Sequence, residues 1–276
     1  MPTASARFTT RSLIAAAMAA GIALPAFAQD EPGRYADAAG GLTLDVPFVP
    51  TPPDMVKRML EVAEVTADDY VMDLGSGDGR IAVAAARDFG ARALGVDLDP
   101  KRVAEGEENA KEAGVSDKVE FRVQNLFETE LEEADVITMY LLPRVNLELR
   151  PRLLELEPGT RIVSHAFHMG DWQPDLKEGV AGRTLFYWVV PADVGGQWTV
   201  TAGDTTVALD IEQTYQELAA TATIGGAEAK VTEATLRGAE ISFTVETSGG
   251  AQTFTGTVDG DTITPAEGGD WSAKRS

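Results

Sequence analysis

Ten residues, Val71-Met72-Asp73-Leu74-Gly75-Ser76-Gly77-Asp78-Gly79-Arg80, constrain this chain more than any others. A short apolar run ends on an acid, and three glycines follow at alternate positions. Glycine takes up positive φ without steric cost, so the backbone can turn tightly and come close to a ligand. An alanine-rich stretch follows Gly79. The pattern predicts a strand, a tight turn and a helix whose first N–H groups face the turn. It is not the dinucleotide fingerprint, which spaces its glycines G-x-G-x-x-G and sets the helix start against a pyrophosphate. Asp73 and Asp78 oppose such an anion and suit a ligand carrying an ammonium and a sulfonium.

Around this loop the apolar runs alternate in period. Strands are predicted at 70–74, 93–96, 119–123, 136–142, 161–167 and 184–190, and helices at 80–89, 100–113 and 145–156. A further helix opens near Thr51-Pro52-Pro53-Asp54, with Thr51 expected as its cap and Asp54 near its positive end. Strands separated by helices imply a doubly wound, mostly parallel α/β sheet. After Pro191 the texture changes to Gly, Thr, Ala and Val with two-residue alternation at 197–201, 207–211, 219–224, 229–235, 241–245 and 252–258. Gly225-Gly226, Gly249-Gly250 and Asp259-Gly260-Asp261 punctuate it, which predicts a small antiparallel sheet or partial barrel. The expected division is a leader at 1–28, a linker at 29–41, an α/β domain at 42–193 and a β-rich domain at 194–276, with the chemistry wholly in the α/β part.

Two more residues fall where such a sheet binds its ligand, at the carboxyl ends of its strands. Asp97, in Gly95-Val96-Asp97, closes the second predicted strand, where a carboxylate can accept both hydroxyls of a ribose. Asn125, in Gln124-Asn125-Leu126, ends the third, where an amide can read an adenine edge.

Through these residues, the stretch from 45 to 190 resembles a class I, seven-strand methyltransferase dependent on S-adenosylmethionine (SAM). Val46-Pro47-Phe48-Val49-Pro50-Thr51, the loop from Asp73 to Arg80, and Trp172-Gln173-Pro174 are similar to small lysine methyltransferases akin to the mitochondrial ATP-synthase c-subunit enzyme. The resemblance implies SAM as cofactor, held by Asp73, Gly75, Ser76, Gly77 and Gly79 around its methionine moiety, by Asp97 on ribose and by Asn125 near adenine. It also implies that Thr51 lies near the cofactor and that the acceptor is an amine, above all a protein lysine. Asn125 stands where an acid is more usual in the family, and the β-rich tail is foreign to the mitochondrial enzyme. The tail resembles small calycin-like β modules and offers no site of its own.

The fourth strand ends Met139-Tyr140-Leu141-Leu142-Pro143, where such enzymes line the transfer site. It lacks the Asn-Pro-Pro-aromatic motif of amino-methylating DNA enzymes, and Tyr140 is the candidate to orient an amine. His165 and His168 are the only histidines; on a strand end their spacing does not put both on one face, so no metal site is expected.

The N-terminus reads as an export signal: Arg7 and Arg11, an apolar run at 13–24, then Ala26-Phe27-Ala28 before Gln29. The run is too short to cross a bilayer, so a periplasmic or secreted chain without stable membrane insertion is expected after cleavage. There is no cysteine, which excludes disulfides and thiolate chemistry. A formal charge of −21 disfavours nucleic acid and favours a basic protein or cationic small molecule as partner. Because SAM is made in the cytosol, an exported enzyme needs a supply outside it. The alternative is therefore a SAM- or nucleoside-binding sensor or scaffold without turnover.

Overall fold

The computed structural model describes residues 35–36, 43–247 and 249–276. The export signal and nearly all of the linker lie outside the described residues. Two sheets build the rest, and a two-residue pairing of Tyr35–Ala36 with Thr43–Leu44 precedes them.

The first sheet contains β1 (Tyr70–Leu74), β2 (Arg92–Asp97), β3 (Val119–Val123), β4 (Val136–Met139), β5 (Arg161–His165), β6 (Leu176–Val180) and β7 (Arg183–Val189). Their order is β3-β2-β1-β4-β5-β7-β6, and only β7 runs against its neighbours. The strand order reverses between β1 and β4, which opens a crevice at their carboxyl ends. Helices α1 (Pro53–Val62), α2 (Arg80–Phe89), α3 (Pro100–Glu112) and α4 (Pro143–Leu153) accompany the sheet. Met59, Leu60, Ile81 and the alanines of α2 fill one apolar cluster, and Leu74, Ile137, Leu149, Trp172 and Trp188 fill a second. This is the α/β architecture expected.

Local differences have local causes. β4 stops at Met139 and α4 starts at Pro143, because proline suits the first helical turn. The cap of α1 is Pro52, with no side-chain hydrogen bond, so Thr51 is not the cap; its hydroxyl turns to His165 instead. β6 has no apolar alternation and was not expected; it is an edge strand, with Glu178 paired to Arg58 of α1.

The second sheet has β8 (Gly196–Ala202), β9 (Thr205–Thr214), β10 (Glu217–Ile224), β11 (Ala227–Ala229), β12 (Val231–Arg237), β13 (Glu240–Thr247), β14 (Gly250–Asp259), β15 (Thr262–Pro265) and β16 (Ser272–Arg275). It is antiparallel throughout, in the order β11-β10-β9-β8-β16-β15-β14-β13-β12. β10 comes beside β12, so the sheet curls into a near-closed barrel. Trp198, Leu209, Ile211, Phe243 and Phe254 fill its interior, and Trp271 packs edge-on to both phenylalanines. Thr199 and its neighbours belong to this sheet rather than to the first.

Candidate active site

A cleft opens at the carboxyl ends of β1, β2 and β4. Eight of the nine residues singled out from the sequence line it: Thr51, Asp73, Gly75, Ser76, Gly77, Asp97, Asn125 and Tyr140. Gly79 does not. A Cβ there would meet the Phe121 ring and Gly106 Cα, so this glycine lets α2 and α3 press onto β3.

The loop is held by its own backbone. The N–H groups of Gly75 and Ser76 both donate to the Val96 carbonyl, at 2.9 Å each, which ties the loop to β2. Gly75, Gly77 and Gly79 have φ of 75°, 54° and 74°, the left-handed region that side chains disfavour. Phe48 lies over the loop so closely that a Cβ on Gly77 would stand 2.5 Å from its ring. The same ring faces the Arg102 guanidinium at 4.2 Å. Phe48 was legible only as part of a motif, without a role; the fold makes it a wall of the cleft.

Three acids face this region in different states. Asp73 is 1% exposed. Thr138 Oγ1 donates to its Oδ1 at 2.8 Å, and its Oδ2 has no hydrogen-bond partner among the described residues. Burial pushes its carboxyl up to about 7, against the Thr138 bond. Asp97 is half-buried, and its two oxygens accept from the backbone N–H groups of Gly77 and Asp99, both at 2.9 Å. Burial raises its pKa, and those two bonds only partly offset it. Each oxygen keeps lone-pair capacity toward the cleft. Asp78 differs from expectation. Burial raises it, but the Arg80 side chain outweighs burial and holds it below the usual carboxylate range. Asp78 is thus spent within the chain, and Arg80 in turn donates to the Thr51 carbonyl at 2.9 Å.

Asn125 has two ties. Its Oδ1 caps a single turn of 3-10 helix by accepting from Phe127 N–H at 3.1 Å, while the residue also lines the cleft. Tyr140 lies against His165, ring centroids 3.8 Å apart, with Phe167 beyond at 6.3 Å. His165 Nδ1 is 3.3 Å from Thr51 Oγ1, and its buried Nε2 has no partner among the described residues. Burial lowers the imidazole to about 4, so it is neutral near pH 7. In the sequence His165 is visible only as a possible metal ligand. Its position at a strand end beside the Tyr140 strand was the available signal. His168 is exposed and accepts from Gly170 N–H, and among the described residues no three His, Asp or Glu side chains gather as a metal site.

The ANTKMT methyltransferase domain model matches residues 73–176. A protein-lysine N-methyltransferase of Saccharolobus islandicus is 44% identical over 151 residues, 52% of this chain and 94% of its own length. The Mus musculus lysine N-methyltransferase of the ATP-synthase c-subunit is 30% identical over 151 residues, 54% of this chain and 60% of that protein. A crystal structure described as an RNA methyltransferase from Salinibacter ruber in complex with S-adenosyl-L-homocysteine is 53% identical, with a TM-score of 0.52 over 53% of this chain and 96% of that one. None of these supports binding without turnover. The donor-binding chemistry fits: a buried carboxyl oxygen at Asp73 with no partner among the described residues suits an ammonium, and Asp97 retains acceptor capacity for hydroxyls. With the Saccharolobus islandicus relative matched almost end to end, the chain belongs to the SAM-dependent methyltransferases, and its residues 73–176 are similar to the ANTKMT methyltransferase domain.

Proposed function

We propose that the chain methylates the Nζ of lysine side chains in a protein. The observation that carries this is the Tyr140 ring, which lines the cleft together with Thr51 and Asp73 and is backed by the buried His165. The methionine end of the cofactor belongs beside Asp73, so the acceptor must enter along that ring. SAM, when bound, supplies an electrophilic methyl group on a sulfonium sulfur. The chain's task is to align nucleophile and methyl and to exclude water. Asp73 and Gly75 to Gly77 hold the methionine moiety, Asp97 accepts from ribose hydroxyls and Asn125 faces adenine. Tyr140 orients the amine. A lysine entering against aromatic rings is desolvated, which lowers its pKa and favours the neutral nitrogen that attack requires. Neutral His165 adds no positive charge against that amine.

The identity to a protein-lysine methyltransferase supports the same acceptor. An RNA acceptor, the class named for the Salinibacter ruber protein, is disfavoured by the formal charge of −21, which repels phosphate. Export belongs to the proposal as well: residues 1–28 are a signal cleaved after Ala28, and the mature chain acts in the periplasm or outside the cell. Incubation with methyl-labelled SAM, a mixture of core histones and total RNA tests the acceptor class. Label in histone lysine supports the proposal; label only in RNA refutes it.

A further inference from the structure

The family model ends at residue 176, yet the residues that grip the last part of the matched segment lie well beyond it. The segment 166–175 leaves β5 directly behind the Tyr140 ring. Ala166 turns it with φ 70°, and Phe167 packs toward Tyr140. The carbonyl of Phe167 is fixed at its near end by Ser164 Oγ at 2.7 Å and Asn146 Nδ2 at 3.2 Å. Arg150 holds the middle through the Met169 carbonyl at 2.9 Å.

Its far end is held by the second sheet, at the turn between β9 and β10. Trp172 Nε1 donates to Gln216 Oε1 at 3.0 Å, and Gln216 Nε2 donates to the Gln173 carbonyl at 2.7 Å. Tyr215 stacks on Trp172 with centroids 6.0 Å apart, and its hydroxyl donates to Asp171 Oδ2 at 3.1 Å. Tyr215 has φ 56°, a conformation that side-chain-bearing residues rarely adopt. It is fixed there by Gln213 Nε2, which donates to the Tyr215 carbonyl at 2.6 Å and to that of Ala192 at 2.8 Å. Trp172 is completely buried between the sheets, and its carbonyl accepts from Trp188 Nε1 at 3.0 Å. A turn shaped this way reads both edges of Trp172-Gln173, by a ring face and by paired amide bonds. Both residues belong to a motif that carries the family resemblance.

We infer that Tyr215 and Gln216 are positioning residues for methyl transfer. They lock the far end of segment 166–175, and through Phe167 they fix the Tyr140 ring, backed by His165, against which the acceptor is held. The β-rich tail thereby contributes to turnover without touching the cofactor cleft, since neither residue lines it. This rests on the reading of that ring as the acceptor side.

The test compares the full chain with its Gln216→Ala, Tyr215→Phe and combined variants. All alter half-buried residues and leave the buried Trp172 in place. Three quantities are measured: hydrogen exchange across 166–175, S-adenosylhomocysteine affinity by calorimetry, and steady-state methylation of core histones. Losing these bonds should speed exchange at 167–173 by about tenfold in the combined variant. kcat should fall by about tenfold, because small misplacements of reacting groups are costly. Affinity for S-adenosylhomocysteine and KM for SAM should not change. Unchanged exchange overturns the brace. Loosened exchange with unchanged kcat overturns its role in transfer, and a parallel loss of cofactor affinity overturns the division between acceptor side and cofactor side. A wild-type chain that methylates no histone lysine counts against the acceptor proposal instead, and hydrogen exchange alone then decides whether the turn braces the segment.

Discussion

Replacing Asp73 by asparagine should move apo stability and cofactor affinity in ways that depend oppositely on pH. Asp73 is 1% exposed, with one oxygen bonded to Thr138 and the other without a partner among the described residues. Its carboxyl rises from 3.8 to about 7 in the folded chain, chiefly through burial. A carboxyl raised on folding stabilises the fold when protonated, so its contribution is full below the unfolded value and is lost as pH climbs toward about 7. Between pH 5 and pH 8 the loss is roughly 3 kcal/mol, at about 1.4 kcal/mol per pH unit over the interval where only the unfolded chain ionises. Asparagine keeps the shape and the Thr138 bond but does not titrate. Its buried Nδ2 lacks an acceptor, a penalty of about 1–3 kcal/mol that is the same at both pH values. The gap in unfolding free energy between wild type and Asp73→Asn should therefore shift toward the variant by roughly 3 kcal/mol from pH 5 to pH 8. Affinity behaves differently. The ionised carboxylate is the form that pairs with an ammonium, so wild-type affinity for SAM should rise by about tenfold per pH unit up to about 7 and then level off. In the variant that slope should vanish and affinity should fall by about ten- to a hundredfold above pH 7. Urea unfolding of the apo chain and calorimetry with SAM at both pH values read these quantities. Parallel stability curves, or a wild-type affinity indifferent to pH, would refute the assignment of a buried, titrating partner for the ammonium.

Other outcomes follow from single contacts. Gly77→Val should abolish SAM binding in calorimetry, because φ 54° disfavours a side chain and the Phe48 ring stands where its Cβ must go; normal binding would reduce the loop to a structural turn. Asp97→Ala should weaken SAM by at least about tenfold, since each bond to a charged group contributes about 1.5–3 kcal/mol, and unchanged affinity would reject the ribose role. His165, lowered to about 4 from 6.5, stabilises the fold above pH 6.5 and less as pH falls toward 4. His165→Gln should flatten that acid limb in thermal unfolding, and a limb of unchanged steepness would deny the imbalance. N-terminal sequencing of the chain from its native host should begin at Gln29; a cytosolic chain that retains Met1 would reject export.

What could be read in advance was what local chemistry alone decides. Glycines at alternate positions after an apolar run, and an acid at the end of the next strand, make a ligand-binding loop wherever they occur, and Asp73, Gly75, Gly77 and Asp97 meet at the cleft. Gly79 shows the limit. A glycine facing a ligand and one facing Phe121 have the same spacing, and only the packing of α2 and α3 separates them. Asp78 looked like a free charge in the loop because spacing does not reveal that Arg80 folds back on it. Thr51 had the residue type of a cap, but Pro52 takes that place and a histidine 114 positions away claims the hydroxyl. β6, β15 and β16 are short or mixed in polarity, so no period marks them. The grip of Tyr215 and Gln216 on Trp172 joins segments 43 and 44 residues apart, and no local pattern announces a contact of that kind.

The central claim is methyl transfer from SAM to lysine, and peptide mass spectrometry of envelope proteins tests it most directly. Cells with the wild-type chain should be compared with cells carrying Asp97→Ala, and purified chain added back to the second sample with SAM. The account predicts methyl groups on lysine Nζ of at least one protein in wild type, lost in the variant and restored by wild-type chain. Identical lysine methylation in both samples, with no gain on adding enzyme and SAM, would contradict it.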